Sequence, residues 1–150
     1  MLNIKSFMTE DHRRCDEILA TAEQAVVNQA WDHALAAFTR FQQAVLQHFA
    51  TEEAMLFPAF EEKTGMHNGP TEVMRGEHAQ MRELMEAARQ ALLAQDADDY
   101  SGNTETLLIM MQQHNIKEEN ILYPLCDQHL RDQMDTLLPG LQAKIQTQTD

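Results

Sequence analysis

Four histidines and two glutamates in this chain form two matched sets of candidate metal ligands. In each set a histidine is followed by a second histidine, and a glutamate comes four positions after the second histidine. The second set lies 66 positions after the first, residue for residue. Imidazole and carboxylate groups together suit iron, manganese or zinc, and six of them can serve two ions. The candidates are His12, His48 and Glu52 in the first set and His78, His114 and Glu118 in the second.

The internal repeat extends to the residues around each ligand set. Both glutamates are followed by another glutamate and then by leucine, an aromatic residue and proline, so each half reads H…HxxxEExxLΦP, with Φ aromatic. A single HxxxE motif occurs often by chance, and a lone core histidine is usually a hydrogen-bonded structural residue. Two copies in register, each with a histidine upstream, favour a metal site over that structural alternative.

Composition limits the kinds of partner and compartment. The 150 residues are 43% hydrophobic and 23% charged, which fits one globular domain. A net charge of −13 repels phosphate backbones and anionic lipid, so we expect no nucleic acid or membrane partner. We find no secretory signal or membrane-spanning run, and two cysteines do not make a disulfide framework. These features, with ten methionines, predict a cytoplasmic protein.

Four long segments rich in alanine, leucine, methionine, glutamate and glutamine predict helices. Breaks fall at 28–31, 65–70 and 96–102, and no segment has the alternation of a strand. Residues 1–130 therefore predict an all-α, up-down-up-down four-helix bundle. Residues 131–150 are expected to form a short C-terminal helix or tail, docked either on this bundle or on another subunit.

Apolar residues and candidate ligands share one stripe on each predicted helix. They recur every three or four positions, which is typical of the inner seam of a bundle helix. The seam positions are 8, 12, 15, 19, 22 and 26; 38, 41, 45, 48, 52, 55 and 59; 74, 78, 81, 85, 88 and 92; and 107, 111, 114, 118, 121 and 125. Pro58 and Pro124, each six positions after its glutamate, predict a kink inside two of these helices.

The spacing of the ligands allows them to meet in such a bundle. Residues four apart on a helix lie on one face, about 6 Å apart, so His48 and Glu52 can reach a common ion. His114 and Glu118 repeat this pair, and the two upstream histidines come singly from the other helices. Ionised groups left unpaired in an apolar core are costly, so metal binding would also stabilise the fold.

Several other residues are interpreted as lying outside the ligand set. His33, His67 and His129 are expected on the surface, and Cys15 is expected to be a small core residue. Glu53 and Glu119 are expected to face solvent or to support the ligands. For the paired aromatic residues Phe57 and Tyr123 a packing role is favoured, although the tyrosine hydroxyl could donate a hydrogen bond to a bound ligand.

The paired H…HxxxE pattern resembles the hemerythrin-like HHE cation-binding domains, over about residues 5 to 130. The resemblance implies a four-helix bundle that holds a non-haem centre of two iron ions with an oxo or hydroxo bridge. It implies that Glu52 and Glu118 bridge the ions and that the four histidines are terminal ligands. The resemblance favours pairing His12 with His48 and His78 with His114, but leaves this assignment open.

One position departs from the oxygen-carrying members of that group. Those hemerythrins have a fifth histidine one helical turn before the equivalent of His78, where this chain has Met74, and the counterpart before His12 is Met8. The four-histidine set looks more like di-iron proteins that repair iron–sulfur centres after nitrosative or oxidative stress. This departure weakens the interpretation as an oxygen carrier.

Three functions follow as hypotheses. The first is a di-iron protein that binds or reacts with O2 or NO, as a sensor, store or stress-response protein. The second is a protein that donates iron to, or repairs, a damaged iron centre in a client protein. The third is a zinc-bound or metal-free bundle with a structural role. The sequence leaves open whether the protein is an enzyme, and which oligomeric state it adopts.

Overall fold

Four helical rods form the body of the protein, and a seventh helix packs against them. We describe residues 2–146 from a computed structural model; Met1 and residues 147–150, the end of the expected tail, lie outside the described residues. The elements are α1 (Ile4–Val27); α2 (Trp31–Thr51), a π-helical turn (Glu52–Leu56) and α3 (Phe57–Thr64); α4 (Pro70–Leu93); α5 (Ala97–Lys117), a second π-helical turn (Glu118–Leu122) and α6 (Tyr123–His129); and a 3₁₀ turn (Arg131–Gln133) followed by α7 (Met134–Gln146).

Local side-chain chemistry sets several helix ends. Asn3 caps α1 in a capping box, in which its side chain accepts from the Ser6 amide and Ser6 accepts from the Asn3 amide. Asp96 caps α5 by accepting from the Asp99 amide, so the helix begins at once and the polar break expected at 96–102 is shorter than the sequence suggests. At the end of α3, Gly65 adopts a left-handed φ of 74°.

Neighbouring rods run in opposite directions. The ring of His12, early in α1, lies 4.6 Å from that of His48, late in α2. The ring of His78, early in α4, lies 4.9 Å from that of His114, late in α5. The all-α four-helix bundle with a C-terminal extension is therefore confirmed, and no strand occurs within residues 2–146. None of the helices in that range is long and apolar enough to cross a bilayer.

Two apolar clusters fill the bundle, and the candidate ligands lie between them along the helix axes. The residues of the larger cluster come after the candidate ligands in the sequence of α1 and α4, and before them in the sequence of α2 and α5. They include Cys15, Phe38, Phe41, Met85 and Tyr100. The smaller cluster lies toward the other end of the bundle. It includes Met8, Leu56, Phe57, Tyr123 and Leu141. The ligand layer is thus closed from water on both sides along the bundle axis.

The seam predicted from the sequence holds as far as each glutamate and then shifts by one position. Ile121, expected inside, is 55% exposed, whereas Leu122 is 1% exposed. In the first half Leu56 is fully buried and Met55 only partly. The cause is the π-helical turn after each glutamate, in which backbone bonds join residues five apart, so the turn holds one additional residue. The predicted inward positions 55, 59, 121 and 125 are replaced by 56, 60, 122 and 126.

The two prolines explain why these turns occur. Pro58 and Pro124 are the second residues of α3 and α6, directly after the π-helical turns. A proline has no amide hydrogen, and its ring collides with the carbonyl four residues earlier in a regular α-helix. The wider turn relieves that collision while the rod continues. The disruption predicted at both prolines therefore takes the form of a π-helical turn.

The C-terminal helix α7 docks on the bundle of its own chain. Leu137, Leu141 and Ile145 on this helix are buried, and Gln47 of α2 donates to the Lys144 carbonyl over 2.6 Å. The contact is close at Gly140, where a Cβ atom would lie 2.6 Å from the end of the Met55 side chain. The sequence left open whether the extension docks on this bundle or on another subunit, and α7 packs on this bundle.

Candidate metal centre

All six predicted ligand side chains meet in one buried layer. His12 is 7% exposed and the other five are 2% exposed or less. Each imidazole presents its Nε2 atom to a glutamate oxygen. The Nε2–Oε distances are 3.1 Å for His12 and Glu118, 3.5 Å for His48 and Glu52, 3.1 Å for His78 and Glu52, and 3.3 Å for His114 and Glu118.

The donor atoms fall into two groups that share a glutamate. In one group Glu52, His78, His114 and Glu118 offer atoms within 4.8 Å of one another, and in the other His12, His48 and Glu118 do so. Glu52 turns Oε1 toward His78 and Oε2 toward His48, so its two oxygens face different histidine pairs. This placement matches the pairing that the resemblance favours, with both glutamates between the pairs. Ligation itself stays a prediction.

A carboxylate holds the Nδ1 atom of every one of these imidazoles. The Nδ1–O distances are 2.7 Å for His12 and Glu119, 2.8 Å for His48 and Asp11, 2.8 Å for His78 and Glu53, and 2.8 Å for His114 and Glu77. An imidazole that donates from Nδ1 in this way directs Nε2 toward the centre. Of the two alternatives expected for Glu53 and Glu119, facing solvent or supporting the ligands, these contacts favour support.

Asp11 and Glu77 contact candidate ligands, and the sequence interpretation missed them. They directly precede His12 and His78 and are themselves 66 positions apart, so the repeat contained a signal for them. Their partners lie on other helices, since Asp11 contacts His48 of α2, and Glu77 of α4 contacts a histidine of α5. These contacts form only when the helices pack together, so the sequence pattern alone does not identify the partners.

Basic side chains secure three of the four supporting carboxylates from outside. Arg82 donates twice to Glu53, over 2.8 and 3.0 Å. Arg14 donates to Asp11 over 2.9 Å, and Lys117 donates to Glu77. Burial raises the pKa of Glu53, but its bonds with His78 and Arg82 outweigh this and lower the pKa to about 2. Glu53 is thus ionised at neutral pH, and basic side chains hold three of the four supporting carboxylates in place.

Buried atoms without hydrogen-bond partners show that the site suits a cation. Glu52 Oε1, His78 Nε2, His114 Nε2 and Glu118 Oε2 are buried and have no partner in hydrogen-bond geometry. Although Glu52 Oε1 lies 3.1 Å from His78 Nε2, the two atoms are not in hydrogen-bond geometry, and a neutral imidazole that donates from Nδ1 to Glu53 would face this oxygen with a lone pair. Such a contact is unfavourable in a buried site unless a proton or metal ion lies between the atoms. The residues therefore fit a metal.

The electrostatics of the centre favour positive charge in the same place. Burial lowers the pKa of His48, but Glu52 and Asp11 outweigh this and hold it well above its usual value. Burial raises the pKa of Glu52, but His48 and its other partners hold it well below its usual value. In the metal-free protein a proton on His48 balances the neighbouring carboxylates, and a metal ion would replace that proton.

Tyr123 packs in the smaller cluster, as favoured from the sequence, and its hydroxyl also reaches the candidate ligands. Its hydroxyl oxygen lies 2.7 Å from Glu52 Oε2 and 3.0 Å from Glu118 Oε1, and 3.2 Å from Nε2 of both His12 and His48. Burial and the two carboxylates raise the pKa of this phenol well above its usual value. The hydroxyl is therefore neutral in the metal-free protein.

The π-helical turn explains how this tyrosine reaches the candidate ligands. Tyr123 follows Glu118 by five residues, which in a regular α-helix would place it about 140° around the axis. Since a π-helix joins residues five apart, the turn returns Tyr123 to the face of Glu118. The signal available in the sequence was the proline at the next position.

A small cavity lies beside the centre, on the side of the larger cluster. It measures about 10 Å³ and borders the imidazoles of His12 and His48. Its remaining wall consists of Cys15, Val45, Phe49, Met111 and Asn115. This volume is about the space that one water-sized molecule needs. Burial raises the pKa of Cys15 to about 12, so the wall carries a neutral thiol.

The histidines set aside from the sequence lie away from the centre. His33, His67 and His129 are exposed. The ring of His129 makes an edge contact with that of Phe60, a residue of the smaller cluster, with ring centroids 6.1 Å apart. None of the three belongs to the groups of candidate metal ligands found within residues 2–146.

Comparison with known proteins gives one match. The family model described as "Hemerythrin HHE cation binding domain" matches residues 3–126. Neither the curated proteins nor the solved structures contain a match to this chain.

Proposed function

Because the chain belongs to the hemerythrin HHE cation-binding domain family, we propose that its buried centre holds two iron ions and that this di-iron centre binds or reacts with O2 or NO. The proposed ligands are the six histidines and glutamates of the repeat, with an oxo or hydroxo bridge between the ions. The protein would act as a sensor, a store or a stress-response protein in the cytoplasm. Two free cysteines, both buried, support a reducing compartment.

The observation that carries the choice of a diatomic molecule is the cavity beside His12 and His48. At about 10 Å³ its space is that of one water-sized molecule, which supports a guest of only a few atoms, and Val45, Phe49 and Met111 make part of its wall apolar. When bound, reduced iron would supply the electrons and the open coordination position that O2 or NO requires. The protein side chains orient and protect it.

The side chains around the centre have separate tasks. The four carboxylates at Nδ1 fix each imidazole in orientation and tautomer. Phe49 stacks on His78 with ring centroids 3.8 Å apart and planes within 12°, which keeps water from that imidazole. Met74, at the position of the fifth histidine of oxygen carriers, is 3% exposed and offers no nitrogen. This substitution supports a role other than reversible oxygen transport.

The test is to load the protein with iron, reduce it without oxygen, and record the visible spectrum while O2 or NO is added. Two irons per chain and a new adduct spectrum with either gas are expected. A matched pair of variants tests the cavity: Val45→Ile fills it, and Val26→Ile makes the same change at the far end of the larger cluster. Slower adduct formation is expected only for Val45→Ile. Binding of zinc in place of iron, or no spectral response, would contradict the proposal and favour a structural bundle.

A second candidate is donation of iron to a damaged iron centre in a client protein, or its repair. The four-histidine set favours it, because Met8 and Met74 leave both histidine pairs without a third imidazole. A centre with fewer strong ligands would release its iron more readily. Transfer of iron from the loaded protein to a metal-free client within minutes, faster than to a chelator of equal affinity, is the result that would favour this candidate.

A further inference from the structure

We propose that the hydroxyl oxygen of Tyr123 is a fifth protein ligand to the metal ion held by His12 and His48, which makes the two ions of the centre inequivalent. The inference rests on the proposed di-iron centre and deepens it. The Tyr123 side chain is fully buried, and its oxygen touches donor atoms from three other side chains besides Glu118 of its own rod.

The spacing around the tyrosine oxygen is that of neighbouring ligands on one ion. When metal–ligand bonds are about 2.1 Å long, adjacent ligands of a six-coordinate ion lie about 3.0 Å apart. The oxygen lies between 2.7 and 3.2 Å from two carboxylate oxygens and two imidazole nitrogens. Two distances among those four atoms are close to the same value: 3.1 Å between His12 Nε2 and Glu118 Oε1, and 3.5 Å between His48 Nε2 and Glu52 Oε2. The phenol oxygen thus lies at ligand-to-ligand distance from the atoms of His12, His48 and Glu118, which form one group of candidate ligands.

Hydrogen bonding alone accounts poorly for these contacts. A phenol has one proton and can donate to one acceptor. Its oxygen nevertheless lies within 3.0 Å of oxygens from both Glu52 and Glu118, so one carboxylate faces a lone pair of Tyr123. In a fully buried site that repulsion is not relieved by water. A cation bound by all three oxygens removes it.

The other half of the centre lacks this ligand. Phe57 is the counterpart of Tyr123 in the 66-residue repeat, and its ring lies against His78 with centroids 5.7 Å apart and planes within 22°. The ion near His78 and His114 would therefore have imidazoles and carboxylates only. As a ligand Tyr123 would give up its hydroxyl proton to solvent and hold the ion through the resulting phenolate oxygen. An anionic oxygen ligand favours ferric over ferrous iron, so the two ions would differ in reduction potential.

The experiment compares the iron-loaded ferric forms of the wild type, Tyr123→Phe and Tyr100→Phe. The chain has two tyrosines, and Tyr100 is buried in the larger cluster, so it is a matched control. Resonance Raman spectra excited in the visible band are expected to show tyrosinate ring vibrations for the wild type and Tyr100→Phe. Tyr123→Phe should keep its iron, lose these vibrations and the associated colour, and have a higher reduction potential at one ion.

Absence of tyrosinate vibrations from the wild type, or their persistence in Tyr123→Phe, would overturn the proposal. If Tyr123→Phe does not fold, the spectrum of Tyr100→Phe still tests the proposal, because Tyr123 is the one tyrosine left in that variant. The proposed function fails separately: a protein that binds no iron contradicts the di-iron centre, whereas two bound irons without tyrosinate vibrations contradict only the additional ligand.

Discussion

Asp11 Oδ2 lies 2.8 Å from Nδ1 of His48 on the neighbouring helix. The same arrangement recurs 66 positions later with Glu77 and His114, also at 2.8 Å. Because a carboxylate at Nδ1 sets both the tautomer and the angle of an imidazole, this relationship prepares the ring for a metal before any metal arrives. The supporting carboxylates therefore follow the repeat as closely as the candidate ligands do.

We expect Asp11→Asn and Glu77→Gln to weaken metal binding about 10- to 100-fold, because each keeps the shape of the side chain but removes the charge that orients the imidazole. Competition with a chromophoric chelator measures the affinity. Glu10→Gln, a neutralisation on the exposed face of the same helix as Asp11, is the control and should change little. Equal affinities for the Asp11 and Glu10 variants would show that the carboxylate at Nδ1 is dispensable.

Glu118→Gln is expected to reduce the metal content from two ions to one or none, because Glu118 Oε1 lies close to both His12 and His114. Metal analysis after gel filtration gives the stoichiometry. Iron should also raise the thermal midpoint of the wild type but not that of the variant, since a ligand stabilises only the state that binds it. Glu62→Gln on the exposed side of α3 is the control. Tight retention of two ions by Glu118→Gln would argue against a bridging carboxylate.

The metal-free protein should lose stability as the pH rises above about 6.5. Burial lowers the pKa of His12 and His114, but their carboxylate partners outweigh this and raise the pKa values above the usual 6.5. A group with a raised folded pKa contributes stability that is present below its unfolded pKa and is lost as the pH rises through the folded pKa. The pKa of His48 is shifted in the same direction.

Urea unfolding across this range measures the loss, and the same series on metal-loaded protein is its control. Metal ions take the place of the imidazole protons, so the loaded protein should not show this loss and its metal affinity should increase with pH. Metal-free stability that increases from about pH 6.5 upward would contradict the expected ion pairs.

Three glycines should respond in opposite directions to substitution by alanine. Gly76 and Gly102 lie inside α4 and α5, and a Cβ atom added at either would have nothing within 4 Å, so alanine should raise the free energy of unfolding by about 0.5–1 kcal/mol at each. Gly65 has a left-handed φ of 74°, where alanine is strained by about 1–2 kcal/mol. Denaturant titration of the three variants measures these changes. A loss of stability in Gly76→Ala would show an unrecognised packing role.

The sequence by itself determined the helical bundle and the set of candidate ligands. Helical periodicity is a local property, because it depends on which residues three or four apart share a face, and the 66-residue repeat marked the ligands independently of any packing. The periodicity and the repeat can both be read from the sequence without knowing how the helices pack together. The seam was therefore correct along α1 and α4, and along the other two rods as far as Glu52 and Glu118.

Only the tertiary structure decided what surrounds the ligands. The π-helical turns shift the register by one position after each glutamate, which turned Ile121 outward and brought Tyr123 to the candidate ligands. The bond from Asp11 to His48 spans 37 positions and depends on the rotation of one helix against another, which no local pattern records. The docking of α7 likewise brings Gly140 close to Met55, a contact between distant parts of the chain that no local pattern records.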